Sequence, residues 1–123
     1  MFRKILIATL LAAVLLTACG TMAPASGNLS FTDGLGREVK LDGPAQKVVS
    51  LAPSNTEILF AIGAGSQVVG RDEFSDYPEE AKSLKSVGGS MGQYSTEAIV
   101  ALKPDLVLAA EINTPELVKQ LED

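Results

Sequence analysis

One cysteine, no histidine and fifteen carboxylates set what chemistry this chain could do. Without histidine there is no imidazole base, no nucleophile–imidazole triad and no imidazole metal ligand. A lone thiol, Cys19, excludes an intrachain disulfide. Two aromatics, Phe74 and Tyr77, stand in the polar loop RDEFSDYP (71–78), where core packing does not account for both. Either could face a ligand, and Tyr77 could equally bury against the helix that follows. Asp72, Glu73 and Asp76 share that loop, but their spacing is not that of an EF-hand and no glycine takes the turn position. They are expected to form a solvated acidic rim. Ser54-Asn55-Thr56-Glu57 reads as a capping box opening a helix, with Asn55 free for an additional role toward a polar ligand edge. Gly63-Ala64-Gly65 is not a dinucleotide fingerprint. The third glycine is missing, Val68 stands in its place, and these glycines end a helix where the fingerprint would open one.

The place of Cys19 gives it a role. A basic start, Arg3-Lys4, precedes an apolar run from Ile5 to Ala18, too short for the roughly 20 residues of a spanning helix. Leu16-Thr17-Ala18-Cys19-Gly20 resembles the lipobox of bacterial lipoproteins. That resemblance implies cleavage before Cys19 and lipid on its sulfur, because one acyl chain anchors only marginally and two or more anchor firmly. The expected organisation is a signal peptide over 1–18, a small-residue tether over 19–28 and one domain over 29–123. Loss of Arg3 and Lys4 with the signal takes the formal net charge from −5 to −7. There is no basic stripe, so nucleic-acid binding has no electrostatic support.

The elements that must position these residues follow from their patterning. Leu29–Thr32 and Arg37–Leu41 alternate apolar and polar around Asp33-Gly34-Leu35-Gly36, predicting a β-hairpin whose glycines take positive φ. Lys47–Ala52, Gln67–Gly70, the segment around Val87 and Leu106–Ala110 read as buried strands. Between them lie a helix with Ile58, Leu59 and Ile62 as its apolar stripe and Gly63 as its stop, a short helical stretch over Glu79–Leu84, and a helix from Ser95 or Thr96 to Leu102. A last helix starts at Thr114-Pro115. Such alternation predicts an α/β fold with a parallel, Rossmann-like sheet preceded by a short β-hairpin. Its working rim lies beyond the strand carboxyl ends, at loops 53–56, 71–78, 88–94 and 110–114.

Three blocks, SLAPSNTEILFAIGAG, DYPEEAKSLKSVGG and IVALKPDLVLA, in this order and spacing, closely resemble the N-terminal lobe of class III substrate-binding proteins of ABC importers. The resemblance covers roughly 29–123 and implies one lobe of a bilobal binder for vitamin B12, haem or iron–siderophore complexes, joined to its second lobe by a long helix. It places ligand-facing positions on Phe74 and Met91 and a permease-docking carboxylate on Glu97. As residues alone, Glu97 is a carboxylate favoured in the first turn of a helix. Met91, adaptable and apolar, departs from the tryptophan of some B12 binders. Family members are longer, and this chain stops before the linking helix, so the expectation is a fragment or truncated product that keeps one wall of the cleft. One wall encloses less of a large ligand than a good site does.

The expected function is therefore that of an exported lipoprotein, held on the outer side of a bacterial membrane, in the periplasm or at the cell surface. It captures a metal chelate (ferric siderophore, haem or cobalamin) and presents it to an ABC permease and ATPase. No resident cofactor, bare metal site or enzymatic activity is expected. The competing reading is a surface lipoprotein that uses the same half-fold as a protein-interaction module without transport.

Overall fold

A computed structural model describes residues 27–122. The expected signal peptide, Cys19 and the expected tether as far as Ser26 lie outside the described residues. The hairpin forms as expected, with β1 (Leu29–Thr32) antiparallel to β2 (Glu38–Leu41) and Leu29 opposite Leu41. Its turn is built by a side chain: Asp33 Oδ1 accepts the backbone N–H groups of Leu35 and Arg37, each at 2.9 Å. The backbone hydrogen bond from Arg37, reinforced by its guanidinium, holds the Asp33 carboxyl below its ordinary range. Of the two turn glycines only Gly36 takes positive φ, at 78°. The hairpin remains a separate two-stranded sheet. Arg37 also pairs with Glu122, which ties the hairpin to the far end of the chain.

The main sheet is parallel throughout, in the order β5-β4-β3-β6, from Lys85–Ser86, Val68–Arg71, Val48–Ser50 and Leu106–Leu108 respectively. The central strand β3 is buried along its whole length because helices cover both faces. Val49 and Leu51 point into one layer with Val87, Ile99 and Leu117, under helices α2 (Thr96–Ala101) and α3 (Pro115–Glu122). Val48 points into the other with Val68 and Leu59, under helix α1 (Pro53–Ala61). The β3–β4 ladder is irregular at Val48/Val49, where β4 supplies an extra residue.

Two helix starts match their sequence signals. Ser95 Oγ accepts Ala98 N–H at 3.1 Å, and Thr114 Oγ1 accepts Leu117 N–H at 3.3 Å with Pro115 at the first helical position. The capping box at Ser54–Glu57 does not form. Pro53 already occupies the first turn, so the cap falls on Ala52, which has no side-chain cap bond, and Ser54 lies inside the helix. The stripe of α1 also differs. Thr56 and Leu59 face inward, whereas Ile58 and Ile62 are exposed. Ile58 lies about 100° round the helix from Leu59, and Ile62 falls at the C-cap, beyond the last helical residue. Gly63, with φ 83°, stops the helix as its sequence position predicts. The stretch after Pro78 is a 3-10 turn over Glu79–Ser83.

Candidate functional site: the rim of the parallel sheet

All four strands of the main sheet run the same way, so their following loops gather along one edge. The base of that rim is fastened by hydrogen bonds. The Leu51 carbonyl, just beyond β3, accepts the Tyr94 hydroxyl at 2.9 Å and Asn113 Nδ2 at 3.1 Å. Asn113 Oδ1 in turn accepts Ala110 N–H at 2.7 Å. Asn55 Nδ2 lies 3.3 Å from the Leu108 carbonyl and 3.2 Å from that of Ala109, which joins the start of α1 to the end of β6. The amide nitrogen of the half-buried Asn55 is thus engaged within the fold, which leaves its side-chain oxygen for a ligand.

Above this base stand three large side chains. Phe74 is 59% exposed, Tyr77 67% and Met91 96%. Burial of Tyr77 against the following turn does not occur. Phe74 and Tyr77 belong to the loop after β4 and Met91 to the loop after β5, and Glu73 N–H donates to the Gly88 carbonyl at 2.7 Å between those loops. The Met91 loop closes on itself through a bridge between Gly88 and Tyr94. Met91 sits in the left-handed region at φ 49°, a conformation that costs a residue with a Cβ of order 1–2 kcal/mol. Glu97 is exposed in the first turn of α2, immediately behind the rim. It borders a shallow depression with Thr96, Val100, Ala101 and Gln120.

The acidic loop departs from its sequence reading at one residue. Glu73 and Asp76 are solvated, but Asp72 is 1% exposed. Its Oδ1 accepts Phe74 N–H at 2.9 Å and its other oxygen takes the Ser75 hydroxyl. Ser75 Oγ is 2.9 Å from Thr56 Oγ1, which is 2.8 Å from Ser50 Oγ. These four residues join β3, α1 and the aromatic loop in one buried chain of oxygens. Arg71 closes the loop from outside, its Nη1 donating to the Asp72 and Glu73 carbonyls at 2.8 and 3.0 Å. Asp72 turned inward leaves no calcium cage, and among the described residues no three His, Cys, Asp or Glu side chains converge as a metal site. The sequence held one local signal for this role. An aspartate can accept a backbone N–H two residues on and so set a turn.

The family model described as "Periplasmic binding protein" matches residues 48–117, from the first residue of β3 into α3, so it spans the parallel sheet and leaves out the hairpin. The chain belongs to this family of binding proteins. Among its relatives is the uncharacterized ABC transporter substrate-binding lipoprotein YvrC of Bacillus subtilis (strain 168), 37% identical over 94% of this chain and 40% of that protein. Two solved structures are also similar. The periplasmic vitamin B12 binding protein BtuF of Vibrio cholerae aligns with a TM-score of 0.60 and 40% identity, over 64% of this chain and 31% of that one. A periplasmic haem binding protein from Pseudomonas aeruginosa aligns at 0.59 and 38%, over 63% and 28%. The chain therefore spans well under half the length of each of these relatives.

Proposed function

We propose that this chain captures a metal chelate, of the ferric siderophore, haem or cobalamin kind, on the outer side of a bacterial membrane and presents it to an ABC permease and its ATPase. The observation that carries the reading is the rim itself. Phe74, Tyr77 and Met91 stand exposed on two joined loops at the carboxyl ends of a parallel sheet, in a chain of the periplasmic binding protein family. Broad apolar faces of this kind suit a flat corrin, porphyrin or catecholate, each aromatic contact adding about 0.5–1.5 kcal/mol beyond area burial. The metal arrives already chelated, so the absence of histidine from the chain is no obstacle. The names of the relatives, for B12 binding, haem binding and ABC transport, support the same reading and none is named for catalysis. None is named as a protein-interaction module either, so the competing reading gains no support from them.

Glu97 is assigned to docking on the permease, and Cys19 to the lipid anchor that keeps the rim near it. The test is titration of the mature protein with haemin, cyanocobalamin, a ferric hydroxamate and a ferric tricatecholate. There is no tryptophan, so emission comes from Tyr77 and Tyr94, both on rim loops, and its quenching reports occupancy of the rim. Binding of one chelate class, weakened about tenfold by Phe74→Ala or Tyr77→Ala, is the expected result. No binding to any of the four overturns the proposal.

A further inference from the structure

The side chain of Phe74 is mostly solvent-exposed, so packing does not fix its ring, yet its backbone is tied to a buried side chain. Its N–H donates to the carboxylate of Asp72 at 2.9 Å. Asp72 is held in turn by the Ser75 hydroxyl, and its own N–H donates to the Ser50 carbonyl at 2.9 Å. Charged groups face this loop from few directions. Arg71 spends its guanidinium on carbonyls of the loop and of Ala81, while Glu73 and Asp76 point to solvent. Burying a carboxylate is expensive unless its oxygens are satisfied. Here that cost falls beneath an aromatic residue that contributes little to the core.

We propose that Asp72 is the positioning residue of the ligand wall, fixing Phe74 before ligand arrives so that little ordering entropy is lost on capture. This rests on the chelate-binding reading above, and the physical principle is preorganisation. The proposal distinguishes the acceptor atom from the charge. In Asp72→Asn the amide oxygen can still accept Phe74 N–H, while the amide nitrogen donates to Ser75 Oγ. Ser75 then turns its proton toward Thr56, and Thr56 donates onward to Ser50 or to the Ala52 carbonyl, 3.3 Å away. Only the Ser75 proton has to turn, because Thr56 already donates to Ser50 and Ser50 to the Ala52 carbonyl, so every hydroxyl of the chain stays paired. Asp72→Ala offers Phe74 N–H no acceptor and leaves Ser75 with Thr56 as its side-chain partner.

The experiment compares wild type, Asp72→Asn, Asp72→Ala and Ser75→Ala by amide hydrogen exchange at Phe74 and by titration with haemin and cyanocobalamin. Phe74 exchange is expected to rise about tenfold in Asp72→Ala, with a similar loss of affinity, and both should return to within about threefold of wild type in Asp72→Asn. Ser75→Ala keeps the acceptor for Phe74 N–H and removes the donor that orients it together with the contact to Thr56, so it should loosen Phe74 less, and it carries the test if Asp72→Ala does not fold. A general stability role would lower the melting temperature but leave Phe74 exchange relative to its neighbours unchanged, and that outcome overturns the proposal. Asp72→Asn behaving like Asp72→Ala also overturns it. If wild type binds neither chelate, haem and cobalamin capture falls, whereas Phe74 exchange still judges Asp72 by itself.

Discussion

The Tyr94 hydroxyl donates to the Leu51 carbonyl at 2.9 Å, fastening the Met91 loop to the end of the central strand. Asn113 shares that carbonyl, so removing the hydroxyl does not orphan it. Tyr94→Phe should therefore cost only about 0.5–1.5 kcal/mol of stability, measured by denaturant unfolding. Burial, the largest cause, raises the Tyr94 phenol above its ordinary value. A raised folded value means the unfolded chain loses this proton first, so stability is fully present below about pH 10 and falls as pH rises through the folded value. The expected outcome is that wild type loses stability across that alkaline window more steeply than Tyr94→Phe. Parallel curves would be evidence against a partly buried phenol with a raised pKa.

Asp105 tests the opposite sign. Burial pushes its carboxyl up, but the backbone N–H groups of Gln46 and Lys47, both at 2.9 Å, more than offset this and leave it below its ordinary value. A lowered folded value gives stability that is present above about pH 4 and is lost as pH falls through the folded value. Asp105→Ala should lower stability by about 1 kcal/mol at neutral pH, and the gap from wild type should close in acid. A gap independent of pH would contradict the assignment.

Gly88 and Gly63 both take positive φ, at 99° and 83°, but their surroundings differ. A Cβ on Gly88 would lie 2.6 Å from the Gln93 carbonyl oxygen and 3.2 Å from Tyr94 Cα, backbone atoms that cannot swing away. A Cβ on Gly63 meets nothing within 4 Å. Gly88→Ala is expected to cost roughly 2–4 kcal/mol and displace the Met91 loop, whereas Gly63→Ala should cost about 1–2 kcal/mol from φ alone. Thermal unfolding of the pair checks the ranking.

Glu97 is exposed, so its substitution should be nearly neutral for folding, within about 0.5 kcal/mol. If it docks on a permease, Glu97→Ala leaves chelate affinity unchanged and lowers uptake in cells. Normal uptake would remove the docking role.

Much of the fold was legible in the residues because short-range rules governed it. The apolar runs at Val48–Leu51 and Leu106–Leu108, the caps at Ser95 and Thr114 and the stop at Gly63 were readable from local pattern. The start of α1 was misread because Pro53 moved the first turn upstream of the residues that looked like its cap. Asp72 was misread because charge and loop position argue for solvent, and its partners Ser50, Thr56 and Ser75 are distributed over β3, α1 and the loop itself. Burial of a carboxylate becomes affordable only when such distant donors converge.

The sequence by itself determined the family, through three blocks in order and spacing, the order of the elements, and the place of Phe74, Tyr77 and Met91 on the loops that follow the strands. Those are properties of spacing and hydrophobic period, which act along the chain. Only the tertiary structure decided which polar residues face inward. Asp72 and Asn113 became the internal fastenings of the rim, and Asn55 gave its amide to the end of β6. A hydrogen bond between groups tens of residues apart has no periodic signature, so it is settled only when the parallel sheet brings its loops together.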